Sequence, residues 1–507
     1  MAKNYDVIVI GAGMGGLSAG TFLASKGKRV LILERHNIPG GYSTSFVRGR
    51  FEFEVALHEL SGIGPEDRRS ALYRYLESIG VAQKVEFVPV GEMYRSVFPE
   101  IDITLPIGRE AYEQTLIDAF PHEKEGIAKF LRRIDVMFKE LAPILKTQRP
   151  GNPLKMGNVM RYFPLTWGEV LNRDVKDPVA RGVISQYWGY FGMGPSECSF
   201  MYFAIALREY MVNGPWFMRG RSQQLANAFV AALEEHGGEI RFNEGVKKIE
   251  TANGRVTGVV TEHDDVVSAP YIMSNANPVS TVNDLIGRDK VPAGFYNKLR
   301  FRKPAASSFN VYLGLAKPPE QLGLTDHEVF INDDLDLDGH ARMMYSIGKP
   351  PAIAMTTYNA VLPEISPPGT SMTVMTTLMY GEPWLRVPPE KYLDTKRMVA
   401  DHMLRKLEKF VPGVRDEIEE MEIATPITNM RYADTMAGSI YGSQQPPADA
   451  TILRLPYKGP IDGLFFCGAW TPPGGGFEPA MMSGQMSSMF LLRDMKKRNA
   501  KIQGGVA

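Results

Sequence analysis

The sequence predicts an α/β fold in which a parallel-stranded unit, assembled from separate stretches of chain, is interleaved with a second region built on an antiparallel sheet and helices. Three observations carry this. Residues 5–34 read as strand, glycine turn, helix, strand and acidic residue, and residues 219–278 read as helix, strand and β-hairpin. Residues 463–495 close the chain with a strand, a glycine loop and a helix. At 507 residues the chain exceeds what one hydrophobic core organises, so two domains are expected.

The first element, YDVIVI, is a short β-branched apolar run of the kind that fills a buried parallel strand. GAGMGG follows, with Gly11, Gly13 and Gly16 in G-x-G-x-x-G spacing, and then LSAGTFLASKG, whose Leu17, Phe22 and Leu23 suit a helix packed on a sheet. The second strand, RVLILE, ends at Glu34. Each part has a mechanical reason. Gly11 permits the tight turn, Gly13 lets backbone approach a pyrophosphate, and Gly16 lets helix and strand pack closely. The helix N-terminus presents free N–H groups and its positive dipole end to phosphate. Glu34 is placed to accept hydrogen bonds from an adenosine ribose. This is a Rossmann-type cradle, and both NAD and FAD fit one. A second glycine pair, Gly40 and Gly41 in RHNIPGGYSTSFVRGRFEFEVALHEL, has no evident use in a nicotinamide dehydrogenase.

In the middle of the chain, RGRSQQLANAFVAALEEHGGEIRFNEGVKKIE predicts an amphipathic helix ending at Gly237-Gly238 and a strand carrying Val246. RVTGVVTEHDDVVSAPYIMSNANP predicts a hairpin with Glu262 to Asp265 at its tip. Late in the chain, GLFFCGAW has a buried-strand pattern, TPPGGGF is a glycine loop, and EPAMMSGQMSSMFLLRDM is a helix with Pro479 in its tolerant first turn. Between these lie SSFNVYLGLA, RMMYSIG, PAIAMTTYN and TSMTVMTTLMYG, all strand-like, as expected for an antiparallel sheet with one covered face.

Composition narrows the class. Lys+Arg and Asp+Glu both number 57, so no general field draws in nucleic acid. The two cysteines, Cys198 and Cys467, are too few for a disulfide framework and fit a reducing compartment. Eight scattered histidines without Cys-x-x-Cys or His-x-x-x-His spacing give no expectation of a metal site. No apolar run approaches the roughly 18 residues that span a bilayer, and no cleavage region follows the opening MAKNYDVIVIGAG. The expected address is cytoplasmic, with peripheral contact on the inner face of a membrane as a further reading. That reading rests on IAKFLRRIDVMFKELAPILK, residues 127–146, which is amphipathic; the same pattern also describes a surface helix packed on its own domain.

With P-G-G, a short polar stretch and an aromatic and acidic run leading to His58, the chain resembles the phytoene desaturase, carotenoid isomerase and retinol saturase superfamily of FAD-dependent enzymes. The resemblance implies a discontinuous FAD domain of the glutathione-reductase-like kind over residues 1–65, 215–285 and 455–507, with residues 66–214 and 286–454 forming the substrate domain. It implies flavin contacts from Glu34, Arg35, Gly40, Gly41 and Ser43, adenine contact by the Val246 backbone, and approach to the ring by Gly468, Ala469, Gly475, Gly476 and Phe477. TPITNMRYADTMAGSIYG, residues 425–442, corresponds to a stretch that lines the family's cavity. Two positions depart from the family pattern. Ala469 stands where relatives often carry an acidic residue, and Glu478-Pro479 where they often have small residues.

The implied chemistry is desaturation of a lipophilic, isoprenoid or carotenoid-like substrate by hydride transfer to flavin N5. Saturation, non-redox cis-trans isomerisation, amine oxidation and lipid binding without turnover stand as alternatives. The 27 methionines suit an adaptable apolar cavity. Candidate proton-handling or orienting groups are His58, Glu59, Tyr441 and Glu478. No second glycine fingerprint is present, so the expected electron acceptor is a quinone, dioxygen or another lipid-phase molecule.

Overall fold

The computed structural model describes residues 4–147 and 155–504. A five-stranded parallel sheet contains β1 (Val7–Ile10), β2 (Val30–Leu33), β3 (Glu239–Arg241), β4 (Ile272–Ser274) and β5 (Leu464–Phe466), in the order β5-β4-β1-β2-β3. Four of these strands are buried along their whole length, which is why they read as continuous apolar runs rather than alternating ones. Three helices complete the unit: α1 (Met14–Ser25), α2 (Arg221–Glu235) and α3 (Phe477–Gly504).

Small residues let α1 sit this deep. A Cβ on Gly20 would lie 2.6 Å from Ile32 Cδ1 of β2, and one on Gly484 of α3 would lie 2.3 Å from the Gly15 carbonyl oxygen, so α1 packs tightly on the sheet and its crossing with α3 is backbone-close. Ser18 Oγ donates to the Met481 carbonyl at 2.6 Å across the same crossing. The hairpin expected after α2 is the outer part of a three-stranded antiparallel sheet over Val246–Ala252, Arg255–Thr261 and Val266–Ser268.

The second sheet has seven strands in the order Ile418–Ala424, Ser307–Leu315, Ser371–Met379, Ala352–Thr357, Glu328–Asn332, Tyr94–Phe98, Ile101–Leu105. It is antiparallel except where Glu328–Asn332 pairs parallel with Tyr94–Phe98. Side-chain alternation along Ser307–Leu315 divides its two faces. Phe309, Val311, Leu313 and Leu315 enter a core with the helix Tyr392–Phe410, while Ser308, Asn310 and Tyr312 face cavities on the other side.

One expected strand is corrected. RMMYSIG lies on and just after a short helix, Leu337–Met343, begun by the Asp336 carboxylate, which accepts from the Gly339 N–H at 2.7 Å. The strand of this region is EVFIN, Glu328–Asn332, and capping chemistry ends strand continuation beyond it.

The amphipathic run forms a helix over Lys124–Thr147. Its Ile127, Phe130, Leu131, Ile134 and Met137 are buried in a core shared with Trp167, Phe200 and Phe203, and the Trp167 and Phe203 rings stack at 3.9 Å. The apolar stripe is therefore consumed by the protein's own domain, while Phe138 and Leu141 one step around the helix reach the central cavity.

Candidate active site

The first glycine turn is built as backbone geometry demands. Gly11 has φ +88°, a conformation costly for other residues. A Cβ on Gly16 would fall 2.0 Å from the Gly11 carbonyl oxygen, so only hydrogen lets α1 close over β1. Gly13 is the N-cap of α1 and supplies no side-chain cap, which leaves the first-turn N–H groups open. Glu34 stands at the end of β2 with Oε2 accepting from the Ala12 N–H at 2.6 Å and Oε1 from the His36 N–H at 2.8 Å. These bonds orient the carboxylate and leave it further acceptor capacity. Gly40 bridges back to Gly13, and Gly40 and Gly41 take φ +120° and +65°. Arg35 and Val246 also line the cavity at this end, Arg35 donating to the Arg431 carbonyl at 2.9 Å. Ser43 does not join them: its buried hydroxyl donates to the Ser222 carbonyl at 2.9 Å, and the neighbouring Thr44 takes the place on the wall.

The late loop closes on the first turn through Asn275, which sequence reading missed. A Cβ on Gly13 would meet Asn275 Nδ2 at 2.8 Å, and one on Gly468 would meet its Oδ1 at 2.5 Å. Gly468, Ala469, Gly475, Gly476 and Phe477 all line the cavity. Internal packing adds a second reason for the glycine run. A Cβ on Gly475 would lie 2.5 Å from the Tyr441 carbonyl oxygen, and Tyr202 Oη donates to the Gly475 carbonyl at 2.7 Å. Ala469 carries no carboxylate, but its carbonyl receives a hydrogen bond from the buried Arg454 guanidinium.

His58, Glu59, Tyr441 and Glu478 share one cavity of about 2810 Å³ with the glycine cradle. His58 Nδ1 lies 3.1 Å from Tyr358 Oη and 3.0 Å from Thr356 Oγ1. Burial, with the neighbouring His327, lowers its pKa to about 3, so the imidazole is neutral across the physiological range. Glu59 is 6% exposed, and its Oε2 accepts from Tyr187 Oη at 3.2 Å and Tyr190 Oη at 3.3 Å. Burial pushes its carboxyl well above the usual range, and Glu328 pushes it further. Glu478 accepts from Ser61 Oγ at 2.5 Å, and burial, assisted by Glu209, raises it to about 8. Tyr441 Oη donates to the Gly189 carbonyl at 3.3 Å, and burial raises its phenol.

Tyr190, Tyr202 and Tyr210 line the cavity as well, supplied by the helices Trp188–Phe191 and Phe200–Asn213. In the sequence Tyr190 and Tyr202 stand in the apolar runs WGYFGMG and FMYFAIAL, a pattern that does not separate wall from core, and Tyr210 lies just beyond the second. Ile427, Asn429 and Tyr441 from the 425–442 stretch line the cavity too.

These residues fit a flavin dinucleotide. The cradle consists of positions a Cβ would fill, an uncapped helix start faces the same space, and the cavity continues beyond into an apolar region walled by Phe138, Leu141, Val159, Phe163 and Ile205.

Comparison with known proteins agrees. The chain is 27% identical to a chloroplastic prolycopene isomerase of Daucus carota, over 97% of this chain and 81% of that relative. It is 27% identical to an all-trans-retinol 13,14-reductase of Danio rerio, over 92% of this chain and 82% of that relative. Among solved structures, an oxidoreductase from Methanosarcina mazei superposes with TM-score 0.64 at 17% identity, covering 96% of this chain and 99% of that one. A putrescine oxidase bound to putrescine superposes with TM-score 0.63 at 14% identity, covering 97% and 99%. The family of flavin containing amine oxidoreductases matches this chain over residues 14–489, and the chain belongs to that family as a flavin-dependent enzyme of its desaturase, isomerase and saturase branch.

Proposed function

We propose that the chain binds FAD and exchanges a hydride and a proton with a carbon–carbon double bond of an isoprenoid or carotenoid-like lipid. The observation that carries this is the continuity of one cavity from the glycine cradle, past His58, Glu59, Tyr441 and Glu478, into an apolar region. Bound in the cradle, FAD would supply the two-electron hydride exchange. The chain's residues do the rest. Gly11 to Gly16 and Glu34 hold the dinucleotide, the 425–442 stretch and the 200–213 helix exclude water, and the carboxyl groups hold protons.

Those carboxyl groups support the direction in which lipid gains hydrogen, since an acid kept protonated near neutral pH is ready to donate. Desaturation runs the same atoms backward. Isomerisation is a second reading, supported by the prolycopene isomerases among the relatives, and needs a proton or hydride added and withdrawn at one carbon. An amine arrives as a cation, and protonated carboxyls offer it no counter-charge, which weighs against amine oxidation. A quinone or dioxygen as electron partner belongs to the same proposal; among the described residues no helix is long and apolar enough to cross a membrane.

An anaerobic titration of the reduced and oxidised flavoprotein with a panel of isoprenoid lipids, following flavin absorbance and product mass together, tests it. Reoxidation of reduced flavin with gain of two hydrogens by the lipid is the expected result. Bleaching of oxidised flavin with loss of two hydrogens would reverse the direction, and unchanged mass with altered double-bond geometry would make the enzyme an isomerase. No response to any lipid would overturn the assignment.

A further inference from the structure

Two buried carboxyl groups on unrelated elements have the Tyr190 hydroxyl as a common neighbour beside the cavity. Glu59 follows His58 in the segment that leads in from the second glycine pair, whereas Glu328 opens a strand of the seven-stranded sheet. Glu328 is fully buried and Glu59 is 6% exposed. Each uses one oxygen and leaves the other idle. Glu59 Oε2 accepts from Tyr187 and Tyr190, and Glu328 Oε2 accepts from Thr356 Oγ1 at 2.6 Å. Glu59 Oε1 and Glu328 Oε1 have no hydrogen-bond partner among the described residues. A buried carboxylate oxygen without a donor is expensive, and here there are two. A proton on one of the two groups would make its idle oxygen a donor and remove the like-charge repulsion between them.

Among the described residues, none of the groups that act on the two carboxyls carries a positive charge. Glu59 is faced by Glu328, by Glu92, and by the hydroxyls of Tyr94, Tyr187, Tyr190 and Tyr210; Glu328 is faced by Thr356, Tyr190, Tyr358 and Tyr441. His58, joined to Glu328 through the Thr356 hydroxyl, is neutral.

We propose that Glu59 and Glu328 hold one proton between them and that this proton is the one exchanged with the lipid carbon in the cavity. Glu59, on the cavity wall, is the catalytic member, and Glu328 is a positioning residue acting through it. In the reducing direction the carboxyl O–H bond breaks and a C–H bond forms on one olefinic carbon, using the electron pair of the double bond, while the neighbouring carbon receives hydride from the reduced flavin. The resulting carboxylate is reprotonated from water. The proposal rests on the polyene reading above.

The test is pH-difference infrared spectroscopy of the purified flavoprotein without lipid, following the C=O stretch of protonated carboxyl groups and its shift in D2O. The wild type should retain such a band at neutral pH. Glu59→Gln and Glu328→Gln should each move its loss to lower pH by about one unit or more, because the remaining carboxyl no longer faces a like charge. Thr356→Val should move it the opposite way, since Thr356 donates to the carboxylate form. A band whose titration is unchanged in both Gln variants, or absent in the wild type, overturns the proposal. Because no lipid is present, that failure is distinct from failure of the lipid titration, which would leave the band intact. With lipid, Glu328→Gln should shift the pH profile of deuterium incorporation from D2O as well as its rate; a loss of rate with an unshifted profile would reduce Glu328 to a structural part.

Discussion

Replacing His58 by alanine separates a structural histidine from one that serves the cavity, and the structure sets the expected size and sign. The imidazole bonds to the hydroxyls of Tyr358 and Thr356, with Thr376 Oγ1 at 3.5 Å on its other side. Neither of the two close hydroxyls is orphaned by the substitution, because Tyr358 Oη also reaches the Leu57 carbonyl at 3.3 Å and Thr356 Oγ1 reaches Glu328 at 2.6 Å. Two neutral hydrogen bonds at about 0.5–1.5 kcal/mol each give a loss of about 1–3 kcal/mol at neutral pH. The protein should fold and keep its flavin.

Acidification should then close the gap. The folded pKa of His58, about 3, lies below its ordinary value of 6.5, so the native state binds fewer protons there than the unfolded chain. Stability tied to His58 is present in full above 6.5 and is lost as pH falls from 6.5 toward 3. At about 1.36 kcal/mol per pH unit, the wild type loses up to about 2 kcal/mol by pH ~5, a loss the alanine variant escapes. His327, whose Nε2 lies 2.9 Å from the His58 carbonyl, is also held neutral by burial, but it is present in both proteins and cancels in the comparison. Thermal melting of the two proteins across this range is the assay. A gap that stays constant or widens on acidification would mean that the folded protein carries a charged imidazole, and the account of a neutral cavity would fail. Loss of flavin from the variant would assign His58 to the scaffold.

Further predictions address the cradle and the helix start. Gly16→Ala should destabilise the fold itself, because its Cβ would meet the Gly11 carbonyl oxygen at 2.0 Å, whereas Gly13→Val should fold and lose flavin, its Cβ meeting only the tip of Asn275 at 2.8 Å. The ratio of flavin to protein absorbance distinguishes them, and a Gly13→Val protein purified with full flavin would sink the cradle assignment. Glu478 has a folded pKa of about 8 against an ordinary 4.5, so the wild type loses stability as pH rises between these values. Glu478→Gln lacks this contribution, so its melting temperature relative to wild type should climb with pH; an opposite trend would show that the carboxylate form is the stabilised one.

How much of this was legible in the sequence depends on how local the physics is. The cradle was legible because turn, helix start and strand are neighbours in the chain, and their steric demands appear as glycines at fixed offsets. The alternation in Ser307–Leu315 was legible for the same reason, with one face set by a helix and the other by the cavity. RMMYSIG failed because its composition satisfies a strand while the Asp336 cap, a single side-chain bond, starts a helix. Glu328 and Asn275 were invisible as site residues. Each owes its place to chain roughly two hundred residues or more away: Glu328 to Glu59, and Asn275 to Gly13 and Gly468. Ser43 was placed by resemblance at the cofactor, and the buried Ser222 carbonyl draws its hydroxyl elsewhere.

The ionisable groups of the cavity form a consistent set only when taken together. Burial holds His58 without its proton and holds the phenols of Tyr190, Tyr202, Tyr210 and Tyr441 with theirs. It also raises Glu59 and Glu478. Burial pushes each of these groups toward its uncharged form, so this part of the wall is rich in protons and poor in fixed charge. A long apolar lipid enters such a space without stripping water from fixed ions, which is the main energetic barrier a charged wall would raise. Uncharged acids in a dry cavity also become stronger local donors to any anion that forms beside them. The desolvation that admits the lipid is thus the same effect that keeps the protons in place for transfer.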